Sequence, residues 1–503
     1  MRIRSTAKGD GRLDYNAISQ LEHLRIENTV KANRKMLEEL FEDSSDIVIR
    51  EFQIEHGPKA LMFFVDGMVT SSMVDEAMQA LMVFEGGAFT IDAICEQTLP
   101  VGQTLQVQFY SELLVNVLSG DCGLFVEGGK TAVCLGLRGG ERRSITEPET
   151  ETVVRGPREG FNERLRTNTA LVRSRIKSPR LKMKPFVIGT ETNTNVVVTY
   201  MAGIANRKLV EEVERRLNAI DIDGILESGY IEELIQDQVM SPFPQIQNTE
   251  RPDTVAAAVL EGRVAILVDG TPFALIAPFG FWQWLHASED YYERFIVATL
   301  TRMLRMVCLF IALMAPAIYI AVSTFHPEMI PTNLLLSIAA SREAIPFPAV
   351  VEALIMELSF EALREAGVRL PKTVGQAVSI LGALVVGQAA VQAGIVSAAM
   401  VIVVSMTGIA SFTLPRYNAA IAIRLLRFPL MLLASIFGLL GIILGVVAIV
   451  SHLSKITSFG VPYVAPASPI SASDWKDVIF RAPWSKMKRR PAYLYPQDRT
   501  RQK

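Results

Sequence analysis

Glutamates inside an otherwise apolar segment are the first residues here whose type and spacing suggest chemistry. In "PFPAVVEALIMELSFEALREAG" (346–367), Glu357, Glu361 and Glu365 recur every four residues, with Glu352 to one side. On a helix that spacing lines the three carboxylates along one face. Carboxylates facing lipid are costly, so the stripe must lie at an interface or line water. Repeated around an oligomer it would form acidic rings that attract cations; the plainer reading is an amphipathic surface helix. Gln376, Gln388 and Gln392, spaced by 12 and 4, could face a polar path or bond across helices. A second group, Glu250, Arg251 and Asp253, stands in "NTERPDTVAAAVLEGRVAILVDGTPFALIAPF" (248–279). These three read more readily as interface ion pairs than as catalytic groups. Arg302 and Arg305 lie where "DYYERFIVATLTRMLR" leads into an apolar run, a place to couple two halves of a chain.

The elements that position these residues follow from charge and periodicity. At 503 residues the chain is too long for one ordinary core. Half of it is apolar and mean hydropathy is +0.28, yet this bias sits in the second half. Residues 373–415 and 428–454 contain no Asp, Glu, Lys or Arg, and each run exceeds the roughly 20 apolar residues a membrane helix needs. Four spans are expected: 304–323, two from 373–415 dividing near Gln392–Gly394, and 428–450. Pro316 inside the first is tolerable where a neighbour satisfies the carbonyl it frees. Arg294, Arg302 and Arg305 precede or edge that span, which keeps the front half cytoplasmic by the positive-inside rule. Four spans also return the basic tail to the cytoplasm, but they leave Arg416, Arg424 and Arg427 on the wrong side. The opening "MRIRSTAKGDGRLDYNAISQL" has no apolar h-region, so no signal peptide is expected.

The front half carries a weak repeat. "GLFVEGGKTAVCLGL" (123–137) and "AILVDGTPFALIAPF" (265–279) each place an acid-Gly pair between two strand-like runs. Upstream, 63–81 and 196–220 each read as a strand, a Gly turn and an amphipathic helix. Asp269-Gly270 predicts a two-residue type I′ hairpin, with Asp269 a turn residue and not an acid catalyst. Thr249 or Asp253 can cap the following helix, Pro252 suits its first turn and Gly262 its end. Phosphate-loop, nucleophile-elbow, zincin and dinucleotide signatures are absent from the sequence. The five histidines are scattered and the four cysteines show no paired spacing, so no cofactor, metal or disulfide is expected. A net charge of −2 gives no support to nucleic-acid binding.

Several segments together resemble the A subunits of the GerA family of spore-germination receptors. They include "SITEPETETVVRGPREGF" (144–161), "SPFPQIQNTERPD" (241–253), "GRVAILVDGTPFAL" (262–275), "DYYERF" (290–295), "GQAAVQAGIVSAAMVIVVS" (387–405) and "TSFGVPYVAP" (457–466). The resemblance implies residence in the spore inner membrane, with the N-terminal half in the cytoplasm or spore core. It implies work with a transporter-like, nutrient-binding B subunit and a lipoprotein C subunit, and a homo-oligomer acting as a nutrient-gated cation channel. The stage V sporulation AF protein shares these motifs and stands as an accessory-channel alternative; a secondary transporter is a further one. No enzymatic activity is expected. The fold expected is an α/β soluble N-terminal half of two related subdomains (25–145 and 155–290) after a flexible N-terminus (1–24). An all-α multi-pass transmembrane domain (296–455) and a basic tail (456–503) complete it.

Overall fold

The computed structural model describes residues 21–83, 101–139, 147–370 and 387–502. The N-terminal segment 1–20 and Gln376 lie outside the described residues. The described chain divides into two compact units. One contains residues to Gln236, Ile246–Pro278 and Lys488–Lys503; the other contains Asp237–Gln245 and Phe279–Met487. The stretch 456–503 therefore divides between them.

The first unit holds two five-stranded sheets. Strands β1 (Ile47–Gln53), β2 (Lys59–Val65), β3 (Thr104–Val107), β4 (Cys122–Val126) and β5 (Ala132–Leu135) lie in the order β1-β2-β4-β5-β3. Strands β6 (Leu181–Ile188), β7 (Thr194–Met201), β8 (Gln247–Thr249), β9 (Val264–Val268) and β10 (Ala274–Ala277) lie in the order β6-β7-β9-β10-β8. The two orders are identical strand for strand, and the strand pairs in both are antiparallel. Alternation along β2 explains why the first sheet is covered on both faces. Leu61, Phe63 and Val65 meet α1 (Val30–Leu40) and α3 (Tyr110–Val117), while Ala60 and Met62 meet α2 (Ser71–Met82).

The second sheet repeats the plan with α4 (Leu165–Arg175), α5 (Arg207–Asn218), α6 (Ser228–Ile235) and α7 (Pro252–Glu261). Leu209, Val210, Val213 and Leu217 bury the face of α5 that the 3- and 4-residue spacing marks. Between strand and helix, Gly67 and Gly203 adopt φ of 78° and 74°, the left-handed turn that glycine enters without strain. Pro252 is the first residue of α7 and Gly262 closes it at φ 101°. Arg251, and neither Thr249 nor Asp253, occupies the N-cap position.

The Asp269-Gly270 turn departs from expectation. Gly270 has positive φ but Asp269 does not, so residues 269–273 make a longer loop and no type I′ hairpin. Long-range bonds set this geometry. Asp269 Oδ1 accepts from Leu165 N (3.0 Å), and Gly270 N donates to Glu163 O (2.8 Å).

The second unit is helical: α8 (Phe295–Phe325), α9 (Thr332–Arg342), α10 (Ala349–Arg369), α11 (Ala398–Phe412), α12 (Tyr417–Phe437) and α13 (Leu439–Lys455). Among the described residues, α8 and α12 are long and apolar enough to cross a membrane, and α11 and α13 are shorter apolar helices. At 31 residues α8 is about 46 Å long, more than the roughly 30 Å of a hydrocarbon core. The expected continuous span 428–450 is instead two helices broken at Gly438, which sits at φ 62°, ψ −140°. At Gly441 an added Cβ would lie 2.1 Å from the Leu433 carbonyl oxygen, so α12 and α13 fold against each other as a tight hairpin.

Candidate functional site

The expected acidic stripe is present on α10, but each of its carboxylates meets an arginine. Glu352 is fully buried. It accepts from Arg342 Nε (3.2 Å) and, at the start of α11, from Ser397 N (2.9 Å). A carboxylate at a helix N-terminus also meets the positive end of the helix dipole. Glu357 Oε2 accepts from Arg427 Nη1 at 2.5 Å, and both side chains are 1% exposed. Glu361 receives Arg364 Nη1 (3.1 Å) and Arg424 Nη1 (2.9 Å). Glu365, at the exposed end, pairs with Arg369 one turn on.

Arg427 does a second task. Its Nε donates to the Ala312 carbonyl at 2.8 Å. That carbonyl lies four residues before Pro316, which has no N–H to offer it. One arginine thus neutralises Glu357 and satisfies the helix bond that Pro316 removes. Arg424 and Arg427, awkward by loop-charge counting, are turned inward to carboxylates. Gln388 and Gln392 are exposed and do not join this seam. Four of its partners, Arg342, Arg364, Arg424 and Arg427, are absent from the sequence-based site. The signal for them was the pairing rule for charges in apolar helices, applied to the same half of the chain.

Arg302 and Arg305 converge on one carboxylate at the entry to α8. Arg302 Nε and Arg305 Nη1 reach Asp290 at 3.0 and 2.8 Å, and Arg302 Nη1 reaches Asp477 at 2.8 Å. Arg302 stacks over the Tyr291 ring at 5.3 Å. This knot ties the first turns of α8 to residues 288–291 and to 474–481.

In the first unit, Glu250, Arg251 and Asp253 form a latch. Glu250 accepts from the Glu149 and Thr150 amides, at 2.7 and 3.3 Å. Arg251 binds Asp253 (2.8 Å) and the carbonyls of Glu151 and Pro157, at 3.2 and 3.0 Å. The latch fastens the 147–161 connection onto α7. It has the form of scaffolding.

The architecture defines a class: tandem α/β repeats joined to an apolar helical unit that pairs its charges internally. Within that class, the chain belongs to the Bacillus/Clostridium GerA spore germination protein family, matched over residues 35–493. It is 53% identical to the uncharacterized membrane protein YfkQ of Bacillus subtilis (strain 168), over 93% of this chain and 91% of that one. It is 48% identical to spore germination protein KA of the same organism, over 91% of this chain and 85% of that one. A solved structure, the N-terminal domain of the A subunit of the Bacillus megaterium spore germinant receptor GerK3, is 38% identical. It covers 51% of this chain and 97% of its own, with a TM-score of 0.41.

Proposed function

We propose that this chain is the A subunit of a nutrient germinant receptor, embedded in the spore inner membrane by several helices with its α/β half in the core. It assembles as a homo-oligomer with a nutrient-binding, transporter-like B subunit and a lipoprotein C subunit. Nutrient binding shifts the oligomer toward a state that conducts cations, by no more than the ligand's difference in affinity between the two states. The observation that carries this reading is the arginine-paired carboxylate row inside the apolar helices of a GerA family chain. Ionisable groups inside apolar helices mark ion pathways more often than packing. In the described conformation Glu352, Glu357 and Glu361 are neutralised, so conduction requires that at least one of these pairs open. Membership in a family of spore germination proteins supports a signalling role without chemistry.

Flux recording in liposomes tests the proposal. With B and C subunits and nutrient present, monovalent cation flux is expected, and Glu357→Gln and Glu361→Gln should alter it. Silence of the complete complex would remove the channel and leave a coupling role. Uptake of labelled nutrient by this chain alone would favour a transporter.

A further inference from the structure

The charges around Glu361 do not balance. Arg364 on α10 and Arg424 on α12 both donate to this one carboxylate, at 3.1 and 2.9 Å. Both side chains are only 12% exposed. The Nε atoms of both are buried and have no hydrogen-bond partner among the described residues. Beyond Glu361, Arg364 reaches only the Ser411 hydroxyl, at 3.2 Å, and Arg424 has no further hydrogen bond among the described residues. Two nearby helix ends, the C-terminus of α11 and the N-terminus of α12, carry opposite partial charges of about half a unit, which cancel. A whole positive charge is left at the node, and burial of an uncompensated charge is expensive.

The two guanidiniums are nonetheless held in place. Arg364 lies over the Phe360 and Phe412 rings at 5.2 and 4.7 Å, and Arg424 over Tyr417 at 6.0 Å. Stacking fixes the plane of a guanidinium and leaves its edge donors free to bind oxygens two at a time. Carboxylate and phosphate oxygens match that fork, and Arg prefers them to a simple halide.

We propose that Arg364 and Arg424 form a binding site for a phosphate-bearing anion, either the head group of an anionic lipid or free phosphate. The lipid form rests on the membrane reading above. The node lies where α11 ends and α12 begins, at one end of two apolar helices, which is where a lipid phosphate would stand. Glu361 competes with the ligand for the same donors, so the site also reports on the ion-pair row: a bound phosphate loosens Glu361, and its loss returns the carboxylate to both arginines.

The test uses the purified full chain. Alkaline carbonate washing of expressing membranes first checks, by itself, whether the chain is membrane-embedded. The chain is then placed in bilayers of phosphatidylcholine with or without phosphatidylglycerol, and retained lipids are counted by native mass spectrometry. Preferential retention of phosphatidylglycerol is expected, reduced roughly tenfold in Arg364→Gln and Arg424→Gln and unchanged in Arg369→Gln. In lipid-free detergent, a rise in melting temperature with inorganic phosphate but not with chloride at equal ionic strength, lost in Arg424→Gln, identifies free phosphate as the source. Should the arginine variants fail to fold, Glu361→Gln decides: removing the competitor should raise anion retention, and a fall overturns the site. No preference for either anion, or retention indifferent to both arginines, also overturns it. If carbonate extracts the chain, the lipid form fails and the phosphate arm alone decides.

Discussion

Two ion pairs in this chain are equally buried and differently finished. Asp46 and Arg173 join the first α/β repeat to the second, with side chains 2% and 0% exposed. Arg173 binds the carboxylate through Nε (2.6 Å) and Nη2 (2.9 Å) and gives its other donors to the Ser178 and Leu181 carbonyls, at 2.9 and 3.0 Å. Glu357 and Arg427, both 1% exposed, share a single bond. Glu357 Oε1 and Arg427 Nη2 have no partner among the described residues. A fork-on-fork pair with satisfied donors is a weld. A single bond flanked by two orphan polar atoms is held in a conformation from which another pairing is close in energy. Burial alone does not separate the two roles; satisfaction does.

The same isosteric neutralisation at both sites tests that distinction. Asp46→Asn strands a fully buried guanidinium and should destabilise the full chain by about 3–5 kcal/mol. The readout is pulse proteolysis in urea. A loss below about 1 kcal/mol would mean the pair is no weld. Glu357→Gln keeps an acceptor for Arg427 and removes a carboxylate with one orphan oxygen, so a smaller loss of about 2 kcal/mol is expected. It should also raise cation flux without nutrient. Equal losses at the two sites, with no change in flux, would erase the comparison.

A third acid, half-buried, extends the series to no cation at all. Glu232 on α6 has no hydrogen-bond partner among the described residues, and burial, with the nearby Glu227 charge, pushes it up to about 7. Its folded value lies above its unfolded value, so the protonated form is favoured by folding. Its contribution to stability is complete below the ordinary carboxylate range and is lost as pH rises through 7. Between pH 5 and pH 8 wild type should lose about 1–2 kcal/mol relative to Glu232→Gln, after discounting for its partial exposure. Melting curves of the two proteins at both pH values check this. Parallel curves would show that water reaches the carboxylate.

What the sequence made legible was local and periodic. The strand-turn-helix repeats, the buried face of α5, Pro252, Gly262 and the glutamate stripe follow from spacing over a few residues. Partnership across long separations did not. Pro316 announces a freed carbonyl at Ala312, but that Arg427, 115 residues beyond that alanine, supplies its donor is a tertiary fact. Asp269-Gly270 carries the residue pair of a tight hairpin, yet Leu165 and Glu163 capture its polar groups and draw out the loop. The break at Gly438 was hidden because apolar residues continue through it, and only the close approach at Gly441 requires the fold-back. The inward arginines were visible as an anomaly of loop charge; their carboxylate partners were visible separately as a stripe. Joining the two needed the packing of α10 against α12.

The smallest effect calibrates the others. Glu365 and Arg369 end the stripe, with side chains 64% and 78% exposed, in the i,i+4 order that favours a helix. By donor count alone this pair resembles the weld, although both bonds end on one oxygen: Arg369 donates from Nε and Nη2 to Glu365 Oε1, at 2.7 and 2.6 Å. Water and salt screen it, and ordering two long side chains offsets most of the attraction. Glu365→Gln should therefore shift stability by no more than about 0.5 kcal/mol, and the shift should vanish at high salt. The Asp46→Asn loss should persist there, because neither of its partners meets solvent. If Glu365→Gln destabilised as strongly as Asp46→Asn, residue 365 would be buried in the working assembly. The stripe would then continue across a subunit interface, and satisfaction would have to be judged in the oligomer.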